Sequence, residues 1–487
     1  MTDKLNAQIL HGISWSTISQ FGVQAGNFVI GVALARMLSP NEFGLMGMLY
    51  VLTGFVSVFT QLGFGAALIH KKNVDQRHFS SVFWVNVCTG LFLMVALMLC
   101  APLVAKFYNE PILRILTMLI ATNFLIGSFS IVHKNLLQKQ INFKTIAIVE
   151  IITVVASGSV AILMANSGFG VWSLAAHAIA TTCISTILFW FASSWKPVFI
   201  FKWKAVKELW GFSSNLLGFS VFNYWVRNAD NLIIGRFLGS DALGVYSKAY
   251  TMMLFPLTNI SRVLASVMFP AFSLIQDDTL RVGKMYLRVS RAVALIAFPL
   301  MLGLFVLAKS FILAVFGSQW GEMIPILKLF CIVGMIQSIG TLNGTIYQSQ
   351  GRTKLQFKVG AAVGVAGVFS IFIGLKWGIF GVACAYTIFS LLVVYPSISI
   401  AVSLLDMTFK KVVKNISSIF YCAIGMAVSV WLIGQKLPSD WPHWLYVLFQ
   451  VPFGCIIYLL LLHVFKVHGY NEMLSLVNSN LRIKNDY

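Results

Sequence analysis

Long apolar stretches, separated by short polar connections, run almost the whole length of the chain. About 20 consecutive apolar residues cross the hydrocarbon of a bilayer as one helix. The pattern predicts fourteen such helices, at 13–35, 43–69, 80–105, 112–133, 144–166, 169–194, 210–236, 243–275, 288–316, 324–348, 356–376, 378–402, 412–434 and 443–465. The eighth and ninth are longer than a crossing needs, so they are expected to tilt, kink or extend past the bilayer. Pro256 gives the eighth a cause for a kink, because it removes one backbone donor. All connections are short, which leaves no room for a soluble catalytic domain or a large external loop. The expected fold is therefore an all-α polytopic membrane protein.

Composition sharpens this picture. Of 487 residues, 58% are apolar and only 10% charged, whereas a soluble globular chain carries about 25% charged residues. The seven cysteines form no C-x-x-C pair and fall in apolar stretches, so they read as small lipid-embedded hydrophobes. The first apolar stretch lacks an A-x-A-like cleavage site and reads as a retained first span.

The net charge of +20 would suggest nucleic acid on a soluble protein. No basic soluble domain exists to carry that role, so no nucleic-acid partner is expected. The charge records orientation and attraction to membrane lipids instead. Fourteen spans put both termini on one side, and that side holds 24 of the 35 Lys and Arg, against 8 on the other and three inside spans. Both termini are therefore read as cytoplasmic. The connection at 195–209 alternates lysines with aromatic residues, as a segment lying on the membrane surface does.

An internal repeat organises the chain. Residues 34–50 read LARMLSPNEFGLMGMLY and residues 234–250 read IGRFLGSDALGVYSKAY. At an offset of 200, Arg36 matches Arg236, Leu38 matches Leu238, Gly44 matches Gly244 and Tyr50 matches Tyr250. Asn41 and Asp241 are both candidate caps for the helix that follows. Gly168-Phe-Gly170-Val171 opens the sixth span and Gly378-Ile-Phe-Gly381-Val382 the twelfth. Spans 1–6 and 7–12 thus read as two copies in the same orientation, related by an axis along the membrane normal. The expected organisation is a six-helix lobe at 1–195, a basic cytoplasmic linker at 196–209, a second six-helix lobe at 210–405, and two extra helices with a cytoplasmic tail at 406–487. Two such lobes suit a site between them that opens alternately to each side.

Polar residues inside the spans supply the candidate chemistry. Glu150, Arg227, Asp230, Lys248 and Arg262 are ionisable and well inside. Each costs about 2.5–3.5 kcal/mol on insertion scales, so each is expected to face protein or water. Asn223, Arg227, Asp230 and Asn231 share one stripe of the seventh span, where Arg227 and Asp230 can pair at i, i+3. Lys248, Thr251, Asn259, Arg262 and Ser266 share a face of the eighth, and Gln20, Gln24 and Asn27 form a weaker stripe on the first. The simplest arrangement turns these faces toward one hydrated cavity. Its candidate substrate-binding residues are Arg227, Lys248, Arg262, Asn223, Asn231, Gln24 and Asn27, with Asp230 and Glu150 as coupling or ion-pair candidates.

Blander readings stand beside these. Arg227–Asp230 can be a packing pair, Lys248 can snorkel to the external interface and Arg262 to the inner one. Glu150 can carry a proton or make a structural hydrogen bond, and Arg36 and Arg236 read as interface anchors. The excess of buried basic residues favours an anionic group such as phosphate, for which Arg offers a two-pronged donor. His177 lacks a ligand-spaced partner, and neither H-E-x-x-H nor a Walker A loop occurs, so no metal, cofactor or catalytic residue is expected.

The stretch Arg236-x-Leu238-Gly239-Ser240-Asp241-Ala242-Leu243-Gly244-Val245-Tyr246, the run Phe269-Pro270-Ala271-Phe272-Ser273 followed by Gln276-Asp277-Asp278, and the Gly-x-Gly-Val openings resemble the Wzx-type polysaccharide flippases. These belong to the multidrug/oligosaccharidyl-lipid/polysaccharide exporter superfamily, and the likeness is greatest to the colanic-acid and lipopolysaccharide-type exporters. The resemblance implies two pseudo-symmetric six-helix lobes with two extra helices. It implies a non-enzymatic flippase of the bacterial inner membrane, with a cavity lined by basic residues. That flippase would move undecaprenyl-diphosphate-linked oligosaccharide repeat units from the cytoplasmic to the periplasmic leaflet by alternating access, for exopolysaccharide or O-antigen-like synthesis. H+ or Na+ is the implied coupling ion, and a polysaccharide polymerase with its chain-length machinery the implied partner. The alternatives are a cationic-drug antiporter of the same superfamily, which would want acidic residues at mid-membrane, and a polysaccharide polymerase or ligase, which would want a long external loop.

Overall fold

A computed structural model describes residues 2–60, 75–201, 203–470 and 472. The end of the second predicted span, at 61–69, lies outside the described residues, as do the side chains of Asn223, Asn259, Arg262 and Ser266. The described helices are α1 (Thr2–Met37), α2 (Pro40–Thr60), α3 (Gln76–Tyr108), α4 (Ile112–Lys139), α5 (Phe143–Asn166) and α6 (Val171–Ala192). A long run, Trp203–Leu274, is broken at Gly239 into α7 (203–238) and α8 (240–274). There follow α9 (Thr279–Val315), α10 (Met323–Ser349), α11 (Thr353–Gly374), α12 (Gly378–Ser403), α13 (Phe409–Lys436) and α14 (His443–Val464). As far as the described residues go, each of the fourteen apolar stretches thus lies on a helix, and the fold is an all-helical polytopic membrane fold.

Local chemistry sets the helix ends. The Asp75 side chain accepts from the His78 backbone N–H at 3.1 Å and so caps α3. Asn109 closes α3 with φ at 58°, a left-handed value that Asn tolerates, and Pro111 follows at the start of α4. Asn142 and Asp278 cap α5 and α9. Gly239 has φ 87° and ψ −175°, which only glycine adopts without strain, so the seventh and eighth spans separate there, in the short connection the apolar pattern leaves between them.

The Asp75 cap gives a pH expectation. The His78 side-chain and backbone hydrogen bonds hold the Asp75 carboxyl below the ordinary aspartate range. A carboxyl whose folded value is depressed contributes above its unfolded value and loses that contribution as pH falls through the folded one. The first turn of α3 is therefore expected to stay protected from hydrogen exchange at mildly acid pH and to fray only below the usual carboxylate range. Asp75→Asn should abolish that pH dependence.

The chain forms two compact units, 1–244 and 245–487. In the first, α1 lies against α5 through small residues: a Cβ at Gly22 would touch Ile151, one at Gly26 would approach Val154 to 2.8 Å, and one at Gly158 would overlap Ile30. Small residues let helices approach closely where lipid supplies no hydrophobic drive between them. Helices α3 and α4 form a hairpin in which Gly90 meets the Phe124 carbonyl. The segment after α6 is extended and strapped to the start of α3. Gln76 donates to the Lys196 carbonyl at 2.9 Å, and Trp84 donates to that of Val198 at 3.0 Å. Phe199 stacks on Trp84 yet stays 92% exposed, an apolar ring for a membrane surface.

In the second unit α9 is the hub, packing on α10, α13 and α14. The two helices beyond the repeat belong to this unit: Asn415 on α13 donates to the Leu287 carbonyl at 2.8 Å, and Tyr458 on α14 donates to that of Leu295 at 3.0 Å. Helix α10 is interrupted by a 3-10 turn at Gly340–Leu342.

Candidate functional site

The two matched stretches of the repeat meet within the first unit. A Cβ at Gly44 would overlap the Ser240 carbonyl, and one at Gly244 would overlap the Pro40 carbonyl. These contacts are reciprocal at the offset of 200, since Pro40 corresponds to Ser240 and Gly44 to Gly244. Asn41 donates to Ser240 Oγ at 2.7 Å and to its counterpart Asp241 at 3.1 Å, and Ser240 donates to Glu110 at 3.2 Å. The start of α2 and the start of α8 are thus joined backbone to backbone at a pseudo-two-fold point, which only glycine allows at both positions.

Helix α7 rests on α2 and α3. Tyr224 donates to the Val51 carbonyl at 2.6 Å beside Gly54, and Trp225 packs on Phe55 with centroids 4.9 Å apart. Gly235 lies against Tyr108 and Met48. Tyr224, Asn228, Asn231 and Gly235 share this packed stripe by helical spacing. Asn231 therefore turns toward protein: its Oδ1 is buried and has no partner among the described residues. Arg227, three residues from Tyr224 and four from Asn231, lies at the edge of this stripe and is exposed, with no hydrogen-bond or ion-pair partner among the described residues, and Asp230 accepts from the Asn231 N–H at 2.8 Å. Gln24 is half-buried and Asn27 exposed, on the side of α1 away from its Gly22–Gly26 contact with α5. Arg236 holds its guanidinium over the Phe107 ring at 5.6 Å.

Glu150 is tied into a junction of three helices. Lys134 on α4 approaches one carboxylate oxygen at 2.9 Å, and Ser19 on α1 donates to the other at 2.7 Å. Ser19 is buried, but the Lys134 and Glu150 side chains keep 41% and 31% exposure, so the pair is only partly enclosed by protein. A double-mutant cycle of Lys134→Met and Glu150→Gln, followed by chemical unfolding in micelles, is expected to give about 1 kcal/mol of coupling. A coupling near zero would show the pair to be idle.

In the second unit Lys248 places its ammonium over two rings, Phe316 at 5.3 Å and Trp320 at 5.8 Å. Trp320 is fully buried, so Lys248 is anchored to the turn that follows α9. The backbone of Arg262 is helical within α8. The same unit holds a cleft of about 170 Å3 between α10, α11 and α12, lined by Gln337, Asn343, Tyr386, Phe389 and Ser390 among others. Reasoning from intramembrane charge passed over this cleft because none of its lining residues is charged. It passed over Lys134 because that residue sat at a presumed loop, whereas α4 continues to Lys139. Among the described residues no group of His, Cys, Asp and Glu could hold a metal ion.

An all-helical fold of long apolar helices with small-residue packing between them belongs to the class of multi-pass membrane proteins. Residues 33–325 match the family described as "Polysaccharide biosynthesis protein", and the chain belongs to that family. It is 30% identical over 393 residues to the teichuronic acid biosynthesis protein TuaB of Bacillus subtilis strain 168, covering 79% of this chain and 80% of that one. It is 26% identical over 450 residues to the lipopolysaccharide biosynthesis protein WzxC of Escherichia coli K12, covering 90% and 89%. Among solved structures, the lipid II flippase MurJ in an inward closed conformation shares the fold with a TM-score of 0.72 at 15% identity, covering 94% of this chain and 99% of MurJ. The protein is thus a polytopic membrane member of a polysaccharide-biosynthesis family.

Proposed function

We propose that the protein is a flippase for polyprenyl-diphosphate-linked oligosaccharide repeat units. It moves them from the cytoplasmic to the periplasmic leaflet of the bacterial inner membrane by alternating access, with both termini cytoplasmic. The observation that carries this reading is Arg227, an exposed residue on α7, within the apolar stretch read as the seventh span of a polysaccharide-biosynthesis family member. Such a group repays its insertion cost by meeting an anion. The diphosphate is the one anionic group that every lipid-linked repeat unit carries, whatever its sugars. The basic residues assigned to this role are Arg227 and Arg262, with Asn223, Gln24 and Asn27 as neutral donors. Lys248, held on two rings, and Asn231, on a packed stripe, contribute less directly. Glu150, which engages Lys134 and Ser19, and Asp230 are the candidates for coupling to H+ or Na+.

The test is reconstitution. Vesicles containing only this protein receive a labelled polyprenyl-diphosphate oligosaccharide in one leaflet, and an impermeant reagent reads its exposure in the other. Protein-dependent transfer, with or without an imposed ion gradient, is the expected result. Transfer no faster than in protein-free vesicles under every gradient would overturn the reading.

A further inference from the structure

We propose that the cleft inside the second unit is a binding subsite for a neutral sugar ring. This rests on the flippase reading above, in which the sugars of the lipid-linked repeat unit are the source of that ring.

The cleft lies where α10 is broken. The 3-10 turn at Gly340–Leu342 interrupts the helix, and Gln337 and Asn343 flank it. Irregular backbone at membrane depth is tolerated where it lines a cavity. Asn343 Oδ1 is buried there and accepts no hydrogen bond from any described residue, which leaves an unmet acceptor beside the space. Across the cleft, Gln337 Nε2 reaches the Tyr386 hydroxyl at 3.4 Å, too long to satisfy the amide well. Ser390 donates to the Tyr386 carbonyl at 2.8 Å and keeps its lone pairs as acceptors. Ser397 adds another hydroxyl to the wall.

The remaining wall is aromatic. Tyr386 and Phe389 have centroids 6.3 Å apart and planes inclined by 35°. Aromatic faces are electron-rich. One face of a pyranose carries several C–H groups polarised by the ring oxygens, and this face suits such a surface. Hydroxyl groups around the ring edge both donate and accept, which matches a wall of amides and hydroxyls.

Charge decides between ligand classes. The lining contains no Lys, Arg, His, Asp or Glu. A diphosphate or a sugar acid would arrive without a counter-charge, and an organic cation would find no carboxylate; each would lose its hydration for too little in return. A neutral hydroxylated ring meets no such penalty. At about 170 Å3 the space is too small for a repeat unit and fits a single residue of it. The diphosphate must then be held elsewhere, so sugar and phosphate ends are recognised separately.

Saturation-transfer NMR on the full chain in lipid nanodiscs tests this, with methyl glucoside, methyl galactoside, methyl mannoside and methyl N-acetylglucosaminide as probes. Methyl glucuronide is the charged comparison probe in the same measurement, and equilibrium dialysis of 32P-pyrophosphate and 22Na+ against the same nanodiscs supplies the other two. At least one neutral glycoside is expected to show transfer to its ring C–H protons, while glucuronide shows none that Tyr386→Ala or Ser390→Leu removes and any retained pyrophosphate is unaffected by them. Tyr386→Ala is expected to weaken that binding about tenfold or more, with Tyr386→Phe close to the parent protein. If Tyr386→Ala fails to fold, Ser390→Leu, which fills the cleft, serves in its place.

Absence of binding by all four neutral glycosides overturns the proposal, as does binding that survives both substitutions. Binding of 22Na+ that those substitutions remove, with no glycoside bound, makes the cleft a cation site instead. Transfer of the lipid-linked oligosaccharide by a protein that binds no glycoside removes this inference and leaves the flippase reading standing. Glycoside binding without any transfer does the reverse.

Discussion

Gly44→Val and Gly244→Val are each expected to abolish transport and to destabilise the protein by more than about 3 kcal/mol, the upper part of the range for overpacking a filled site. The clashing atom is Cβ itself, so alanine should already show the effect and valine should deepen it. At both positions the added carbon meets a backbone carbonyl, of Ser240 or of Pro40, and not the end of a flexible side chain. A carbonyl cannot rotate out of the way, so α2 and α8 must separate. Separation also costs the Asn41 hydrogen bonds to Ser240 and Asp241. Gly360 is the internal control, because a Cβ there meets nothing within 4 Å and the backbone is helical. Gly360→Ala should be neutral or mildly stabilising, since alanine prefers a helix by about 1 kcal/mol over glycine. Thermal unfolding in micelles together with the vesicle assay separates the outcomes. A Gly44→Ala protein as stable and active as the parent would show that the reciprocal contact is not needed.

That contact also shows how far the sequence could be read. The match of Arg36, Leu38, Gly44 and Tyr50 to residues 200 positions later was visible as a pattern, but the pattern did not say that the two stretches touch. Gly44 and Gly244 recur because each copy supplies the gap that the other's backbone fills. The fourteen helices were legible because crossing hydrocarbon demands about 20 apolar residues in a row, a requirement few other constraints disturb. The break at Gly340–Leu342 was not, because hydropathy reports whether a segment is apolar and not whether its helix is continuous. Helical spacing placed Asn231 with Arg227, yet its Oδ1 is buried and its spacing matches Tyr224 and Gly235. A one-dimensional stripe of about 100° per residue cannot separate two adjoining faces. Glu150 was legible as an intramembrane acid, but its partners Lys134 and Ser19 lie on other helices, 16 and 131 residues away. Lys248 likewise meets rings that arrive from the turn after α9. Charge patterns locate residues that need partners; only tertiary packing supplies them.

Arg227→Glu is expected to eliminate transfer of the lipid-linked oligosaccharide while leaving the fold intact. Arg227 lies twelve residues before the break at Gly239, about 18 Å along the helix at 1.5 Å per residue and within the stretch that hydropathy assigns to the seventh span. It is exposed and makes no hydrogen bond or ion pair with a described residue, so removing it breaks none of those. If its role is to meet a diphosphate, truncation loses a charge-assisted contact worth about 2–5 kcal/mol, and Arg227→Ala should slow transfer about thirtyfold or more. Arg227→Lys keeps the charge but not the fork, so it should fall between the parent and Arg227→Ala. Reversal to Glu adds repulsion to the loss. The order Arg, Lys, Ala, Glu is the signature of an anion met in the membrane; a structural role would instead track side-chain volume and show in unfolding. Should Arg227→Glu transfer substrate at the parental rate, Lys248 would not inherit the task readily, since two aromatic rings already hold it. The cationic role would then pass to Arg262, and Arg262→Glu becomes the deciding substitution.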